Sequence, residues 1–256
     1  MISVVRSQPW RLIPPLTTNG QTQMAIDAWL FEQHGQGQSP PTLRFYTWSP
    51  VALSLGYHQR HYPKHWQQLR WQGQPIDCVR RPTGGRAVLH QGDLTYAVIT
   101  GGLSGNRRQG YEYVCKFLIT GWQRLGLSLA YGQARRSYGQ TPNCFATATG
   151  ADLVTPTGLK LIGSAQRRDR DRVLQHGSMR LRPDPALFQQ VFQETVVPAP
   201  ALGALPLQQQ QIVEVLTTAA ADHFNADFFV QPLTAAEIEQ ALSRRGPGEW
   251  SVNAKH

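Results

Sequence analysis

Apolar and polar positions along the 256-residue chain switch between two periods, and the switches mark its elements. Ile26, Trp29 and Leu30 recur at helical spacing behind Thr18 and Asn19, two residues that cap helices, which predicts a helix over about 21–33. TLRFYTW (42–48) and VALSLGY (51–57) read as strands around Ser49-Pro50, and IDCVRR (76–81) and DLTYAVIT (93–100) as two more. Tyr113, Val114, Phe117, Leu118, Gly121, Trp122 and Leu125 return to helical spacing and predict a helix over 110–125. DLVT (152–155), the turn Pro156-Thr157-Gly158 and LKLIGSAQRR (159–168) form a hairpin pattern, and DRDR (169–172) turns the chain into VLQHGSMRL (173–181). Beyond Pro183 the pattern is helical, near 184–193, 207–223 and 234–243. Strands and helices mix without regular βαβ alternation, so the expected class is α+β, a mixed β-sheet with flanking helices. We expect a core over 1–183 and a C-terminal helical extension of the same domain over 184–256.

Composition narrows the partners. The net charge is +9, carried mostly by arginine, since only Lys64, Lys116, Lys160 and Lys255 are lysines. Such a charge favours an acidic partner. No aromatic-basic RNA signature or helix-turn-helix is visible, so nucleic acid is not expected. Three cysteines, Cys78, Cys115 and Cys144, make neither a disulfide framework nor a Cys-x-x-Cys metal spacing. No apolar run has the length of a membrane span, and the start has no long apolar segment of a signal peptide. The expectation is a soluble cytoplasmic protein.

One stretch fits no ordinary hairpin. RRPTGGRAVLH (80–90) sets Arg80, Arg81 and Arg86 around a Gly-Gly pair between two apolar runs. Glycine lets a backbone approach a ligand with no Cβ in the way, so the pair can wall a narrow pocket. No Gly-Lys-Ser/Thr follows, which excludes a phosphate loop.

Extended to RRPTGGRAVLHQGDLTYAVI, this stretch resembles the signature of the biotin/lipoate protein ligase superfamily. QMAIDAWL (23–30), LRFYTWSPVALSLGYHQ (43–59), LKLIGSAQRR and VLQHGSM are similar to its other segments, so the resemblance spans about 20–182. It implies the biotinyl/lipoyl-transferase-like, class II synthetase-like fold. It also implies a tunnel for an acyl chain lined by Arg81, Thr83, Gly84, Gly85, Arg86, His90, Gly163, Ser164 and His176. Two branches compete, ATP-dependent lipoate ligases and octanoyltransferases that work through an enzyme thioester. GGRAV in place of GGGAV, NCFATATGADLV (143–154) and the lack of a long accessory region are similar to the second branch. The sequence departs from the family where an acidic residue usually follows the loop histidine, because Gln91 and Gly92 come before Asp93.

The octanoyltransferase branch implies octanoyl-acyl carrier protein as donor. Its acceptors would be lipoyl domains of glycine cleavage H protein or of 2-oxoacid dehydrogenases, with no ATP, metal or other cofactor. A thioester donor is already activated, so the chemistry needs a thiolate, a nearby base or cation, oxyanion donors and an apolar channel. Cys78 and Cys115 adjoin apolar runs and read as core residues. Cys144 lies in the polar TPNCFAT, which leaves it open between a structural thiol and a nucleophile; the resemblance makes it the nucleophile. Strand alternation puts Lys160 with Ile162, Ser164 and Gln166, facing away from Leu161 and Gly163. A strand lysine is ordinarily solvated. The resemblance gives Lys160 the task of setting the ionisation of Cys144 and carrying its proton. His90 and His176 are expected to line the site without serving as its base. The alternatives are an ATP-dependent lipoate-protein ligase and a non-catalytic acyl- or nucleic-acid-binding module.

Overall fold

The computed structural model describes residues 7–133, 143–144, 149–195 and 208–244. The chain start (1–6), the rest of the Cys144 motif (145–148) and the end of the C-terminal extension (245–256) lie outside the described residues. In chain order the elements are β1 (Gln8–Thr18), α1 (Gly20–Gly35), β2 (Thr42–Trp48), β3 (Ala52–Leu55), β4 (Arg70–Trp71), β5 (Gln74–Pro75), β6 (Asp77–Arg80), β7 (Val88–His90) and β8 (Asp93–Thr100). Then follow α2 (Arg107–Arg124), β9 (Ala130–Tyr131), β10 (Asp152–Val154), β11 (Lys160–Asp169), β12 (Arg172–Arg180), α3 (Pro185–Phe192), α4 (Gln209–Phe224), β13 (Ala226–Val230) and α5 (Ala235–Ser243).

Eight strands form the main sheet in the order β13-β1-β2-β8-β12-β11-β10-β9. β1 is parallel to both β13 and β2, and the remaining pairs are antiparallel. All eight residues of β8 are buried because helices cover both faces of the sheet. Leu94, Tyr96 and Val98 meet α2 and α4 on one face, while Ala97 and Ile99 meet α1 on the other. A second sheet, β6-β3-β7, packs against α3 through Leu53, Leu55 and Cys78.

Asparagine side chains cap the two long N-terminal helices, the first as its sequence predicts. Asn19 accepts the N–H of Thr22 at the start of α1, and Asn106 with Gln109 forms a capping box at the start of α2. β1, β13 and the short β4, β5, β7 and β9 are not predicted from sequence. β1 contains Pro14 and Pro15, which break the alternating pattern; they sit where its register with β2 shifts between Ile13 and Leu16. Within 184–256, the short β13 joins the three expected helices and extends the main sheet from β1. Arg11 then clamps α5 by an ion pair to Glu237 at 2.7 Å. No helix among the described residues is long and apolar enough to cross a membrane.

Candidate active site

The Gly-Gly loop runs from β6 to β7 and is built around its own arginine. The buried Arg81 guanidinium donates to the carbonyls of Ser54 (2.9 Å), Gly84 (2.8 Å) and Arg86 (2.8 Å). Arg81 is therefore an internal brace of the loop. Gly85 has φ +97°, which disfavours any side chain. A Cβ on Gly56, which the sequence reading did not single out, would lie 1.8 Å from the Gly85 oxygen, so β3 and the loop can meet only with glycine there. Arg86 does not line the cavity; its carbonyl is one of the three that Arg81 holds.

Both histidines are fixed at both nitrogens. His90 Nδ1 meets Asp93 at 2.8 Å and Nε2 meets Ser54 Oγ at 2.8 Å, with the ring stacked on Trp48 at 3.8 Å. Burial pushes its pKa below the usual histidine value despite the neighbouring Asp93. The two residues inserted before Asp93 do not separate it from His90. Gly92 takes φ +63° in a turn packed so closely that a Cβ would lie 1.8 Å from the Arg182 oxygen. His176 Nδ1 meets the buried Asp27 at 2.7 Å, and its Nε2 meets the Thr83 hydroxyl at 2.6 Å. Asp27 also accepts from Arg44 (3.0 Å) and Tyr46 (2.8 Å). This buried network anchors the loop at Thr83 to α1, β2 and β12. Asp27 stands within an apolar helix and was not picked out in the sequence.

The third group holds the thiol. Cys144 is partly exposed, and its N–H donates to Ala87 O at 3.0 Å, tying it to the far end of the Gly-Gly loop. Asn143, next to it, donates to Glu194 at 2.7 Å. Lys160 Nζ lies 3.4 Å from Cys144 Sγ, 2.7 Å from Cys144 O and 3.0 Å from Asp152 Oδ2. An ammonium carries a hydrogen for each of these three acceptors. Asp152 is fixed in turn by the N–H (2.7 Å) and hydroxyl (2.9 Å) of Thr149.

Simple alternation does not predict where Lys160 points. Asp152 pairs with Gly163 and Leu153 with Ile162, but Val154 pairs with Lys160, so Leu161 is an extra residue. At this bulge Leu161 and Ile162 both enter the core against α2, and the face of Lys160 is reversed. Lys160 joins Asp152 and Gly163 on the cavity side. Ile162, Ser164 and Gln166 do not share its face; Ser164, which meets the Tyr96 hydroxyl at 2.8 Å on the α2 side, lines the same cavity from there, as does Gln166. Asp152 was missed because its partner is set by this register. Its one sequence signal was an acidic residue opening the strand opposite Lys160.

These groups line one cavity of about 490 Å³, within the range of small-molecule sites. The loop residues Thr83, Gly84 and Gly85 form one wall, and Tyr46, Thr95, His176 and Ser178 of the main sheet form another. Cys144, Lys160, Asp152 and Gly163 lie together at one side. Cys78 and Cys115 lie outside it, and burial pushes their thiols up to about 12 and about 11. A partly exposed thiol beside an ammonium, at the mouth of a walled cavity, can receive an acyl group and pass it on.

A model of the lipoyl protein ligase A/B catalytic domain matches residues 19–215. The octanoyltransferase LipM of Kyrpidia tusciae is 33% identical over 95% of this chain and 98% of its own. That of Brevibacillus brevis is 30% identical over 96% and 99%. Among solved structures, a lipoate-protein ligase A bound with ATP superposes with a TM-score of 0.74 at 18% identity over 93% of each chain. A bi-partite lipoate protein ligase from Thermoplasma acidophilum gives 0.70 at 18% identity, over 93% of this chain and 92% of its own. At these identities the solved structures establish the fold, which is the class II synthetase-like one.

Proposed function

This chain belongs to the lipoyl protein ligase A/B family, and we propose that its Cys144–Lys160–Asp152 centre carries an octanoyl group as a thioester between two proteins. The enzyme is an octanoyltransferase of protein lipoylation. The donor in this reading is octanoyl-acyl carrier protein. The acceptor is a lysine of a lipoyl domain, such as those of glycine cleavage H protein or the 2-oxoacid dehydrogenases. Both kinds of partner are typically acidic and suit the +9 charge, and three free cysteines suit the reducing cytoplasm.

The observation that carries the proposal is Lys160 Nζ held between Cys144 Sγ and Asp152. In the first half-reaction the Cys144 proton passes to Lys160, and the thiolate attacks the donor carbonyl. The carbon–Sγ bond forms, the carrier's carbon–sulfur bond breaks, and Lys160 returns the proton to the departing carrier thiolate. In the second half the acceptor amine attacks, the carbon–nitrogen bond forms and the carbon–Sγ bond breaks. The proton lost by the amine returns to the centre, and the thiolate is regenerated. One thioester replaces another and then yields a more stable amide, so no nucleotide is needed. Asp152 stabilises the ammonium each time Lys160 takes up the proton, and it keeps Nζ on the sulfur.

Intact-mass measurement tests the reading. Octanoyl carrier protein without ATP is expected to add one octanoyl mass, labile to hydroxylamine, to the wild type and to the Cys78→Ala and Cys115→Ala proteins. Cys144→Ala should add none. Modification of a lipoyl domain by free octanoate with Mg-ATP, but not by octanoyl carrier protein, would replace this reading with a ligase.

A further inference from the structure

The cavity continues beyond the sheet. β10 reaches only to Gly163 on β11, so from Ser164 onward the outer edge of β11 carries no strand among the described residues. Around this edge the cavity opens a side chamber lined by Arg107, Tyr111, Ser164, Gln166 and Arg168. Asp152, at the end of β10 where the edge opens, also holds Lys160. The reacting centre therefore stands where two branches meet. If the acyl chain lies along the Gly-Gly loop, the remainder of the donor has the side chamber.

The walls of that chamber select a chemistry. Gln166 is 6% exposed, and its Nε2 donates to Gln175 at 3.0 Å, while its Oε1 has no donor among the described residues. A buried amide oxygen of this kind calls for an N–H or O–H from a ligand. Tyr111 Oη lies against the backbone N–H of Gln166, and burial raises its pKa, so the phenol keeps its proton as a donor. Arg168 is occupied by the carbonyls of Leu103, Gly105 and Arg170, which fixes the loop leading into α2. Arg107, the first residue of α2, is exposed and has no ion-pair partner among the described residues. The chamber thus offers an amide acceptor, a phenol donor and, at its rim, a cation.

We propose that this side chamber binds the phosphopantetheine arm of the donor, with an amide N–H of the arm on Gln166 Oε1 and its phosphate on Arg107. The proposal rests on the carrier-protein reading above. An extended chain of amides ending in a phosphate matches the groups on offer: a buried amide acceptor and a phenol for the arm, and an exposed cation for the phosphate. An arginine–phosphate contact combines charge with directed hydrogen bonds.

The test uses full-length protein and three small octanoyl donors: the butanethiol, pantetheine and 4′-phosphopantetheine thioesters. Single-turnover acylation of Cys144 is followed by intact mass. Each comparison is a ratio of two donors on one variant, so any loss of folded protein cancels. The wild type is expected to use the phosphopantetheine donor roughly five- to tenfold faster than the pantetheine donor at sub-saturating concentration. Arg107→Gln should bring that ratio close to one. Gln166→Leu should shrink the ratio of pantetheine to butanethiol donors while keeping the phosphate ratio. If both variants keep both wild-type ratios, the arm does not lie in this chamber and the proposal is overturned. A wild type that takes octanoate from no thioester, carrier protein included, overturns the transferase reading itself.

Discussion

Replacing Lys160 with methionine keeps an unbranched stem, one heavy atom shorter, and removes its charge, which isolates what the ammonium does for Cys144. At 3.4 Å, with an effective dielectric of about 20, the ammonium–thiolate attraction is about 5 kcal/mol before screening. Cys144 is only partly buried, so water removes part of this, and about 1.5–3 kcal/mol is a reasonable remainder. At about 1.4 kcal/mol per factor of ten, loss of this attraction should slow attack by Cys144 roughly 10- to 100-fold. Alkylation by iodoacetamide at pH 7, located at Cys144 by peptide mapping, should slow by that factor, and octanoylation should slow at least as much. The substitution also strands Asp152, whose side chain is 3% exposed. Leaving a buried charge uncompensated costs about 3–5 kcal/mol, so the single variant should unfold at markedly lower urea. Lys160→Met combined with Asp152→Asn removes both charges and should recover most of that stability without recovering the alkylation rate. That double variant separates a chemical effect from a folding defect. Wild-type alkylation in the stable double variant would refute the role given to Lys160. Lys160→Arg adds a finer division: arginine supplies charge but does not release a proton, so alkylation should be largely kept while transfer is lost.

Three further outcomes follow from the geometry. Gly56→Ala and Gly85→Ala should each lower stability by about 1–3 kcal/mol in urea unfolding, the first by collision with the loop and the second by strain at φ +97°, whereas Gly84→Ala, with nothing within 4 Å of its Cβ, should stay within about 0.5 kcal/mol of wild type. His90 is held below its unfolded value by burial, so the folded state resists its protonation; stability is fully present above about pH 6.5 and declines as pH falls from there toward the folded pKa. His90→Gln should flatten the loss of stability between about pH 7.5 and 5.5 in urea titrations, and an unchanged slope would assign that loss to other groups. Native protein treated with iodoacetamide near pH 7.5 should be modified at Cys144 alone, since the other two thiols are buried and pushed to about 12 and about 11; peptide mapping that finds Cys78 or Cys115 labelled at a comparable rate would contradict this.

Local chemistry determined much of this protein before any tertiary contact. Asn19 caps α1 with its own side chain, and the apolar repeat of α2 marks its buried face, so both helices were legible in sequence. The Gly-Gly loop was legible because glycine is the residue that turns a backbone through a φ such as the +97° of Gly85 without strain. Cys144 stood out by its polar surroundings and Lys160 by its rarity in an arginine-rich chain. Tertiary structure decided the rest, because those features depend on register or on distant segments. A single extra residue at Leu161 reverses the face of Lys160 and gives it Asp152, a pairing that strand alternation alone places on the wrong side. β1 carries two prolines and could be recognised only from its parallel neighbours, β2 and the distant β13. Arg81 reads in sequence as a residue of the tunnel wall, and the fold adds that it is the loop's brace, its guanidinium held by three carbonyls from Ser54, Gly84 and Arg86. Asp27 draws Arg44 and Tyr46 of β2 and His176 of β12 together on α1, and no one-dimensional pattern records contacts whose partners are 17, 19 and 149 residues apart.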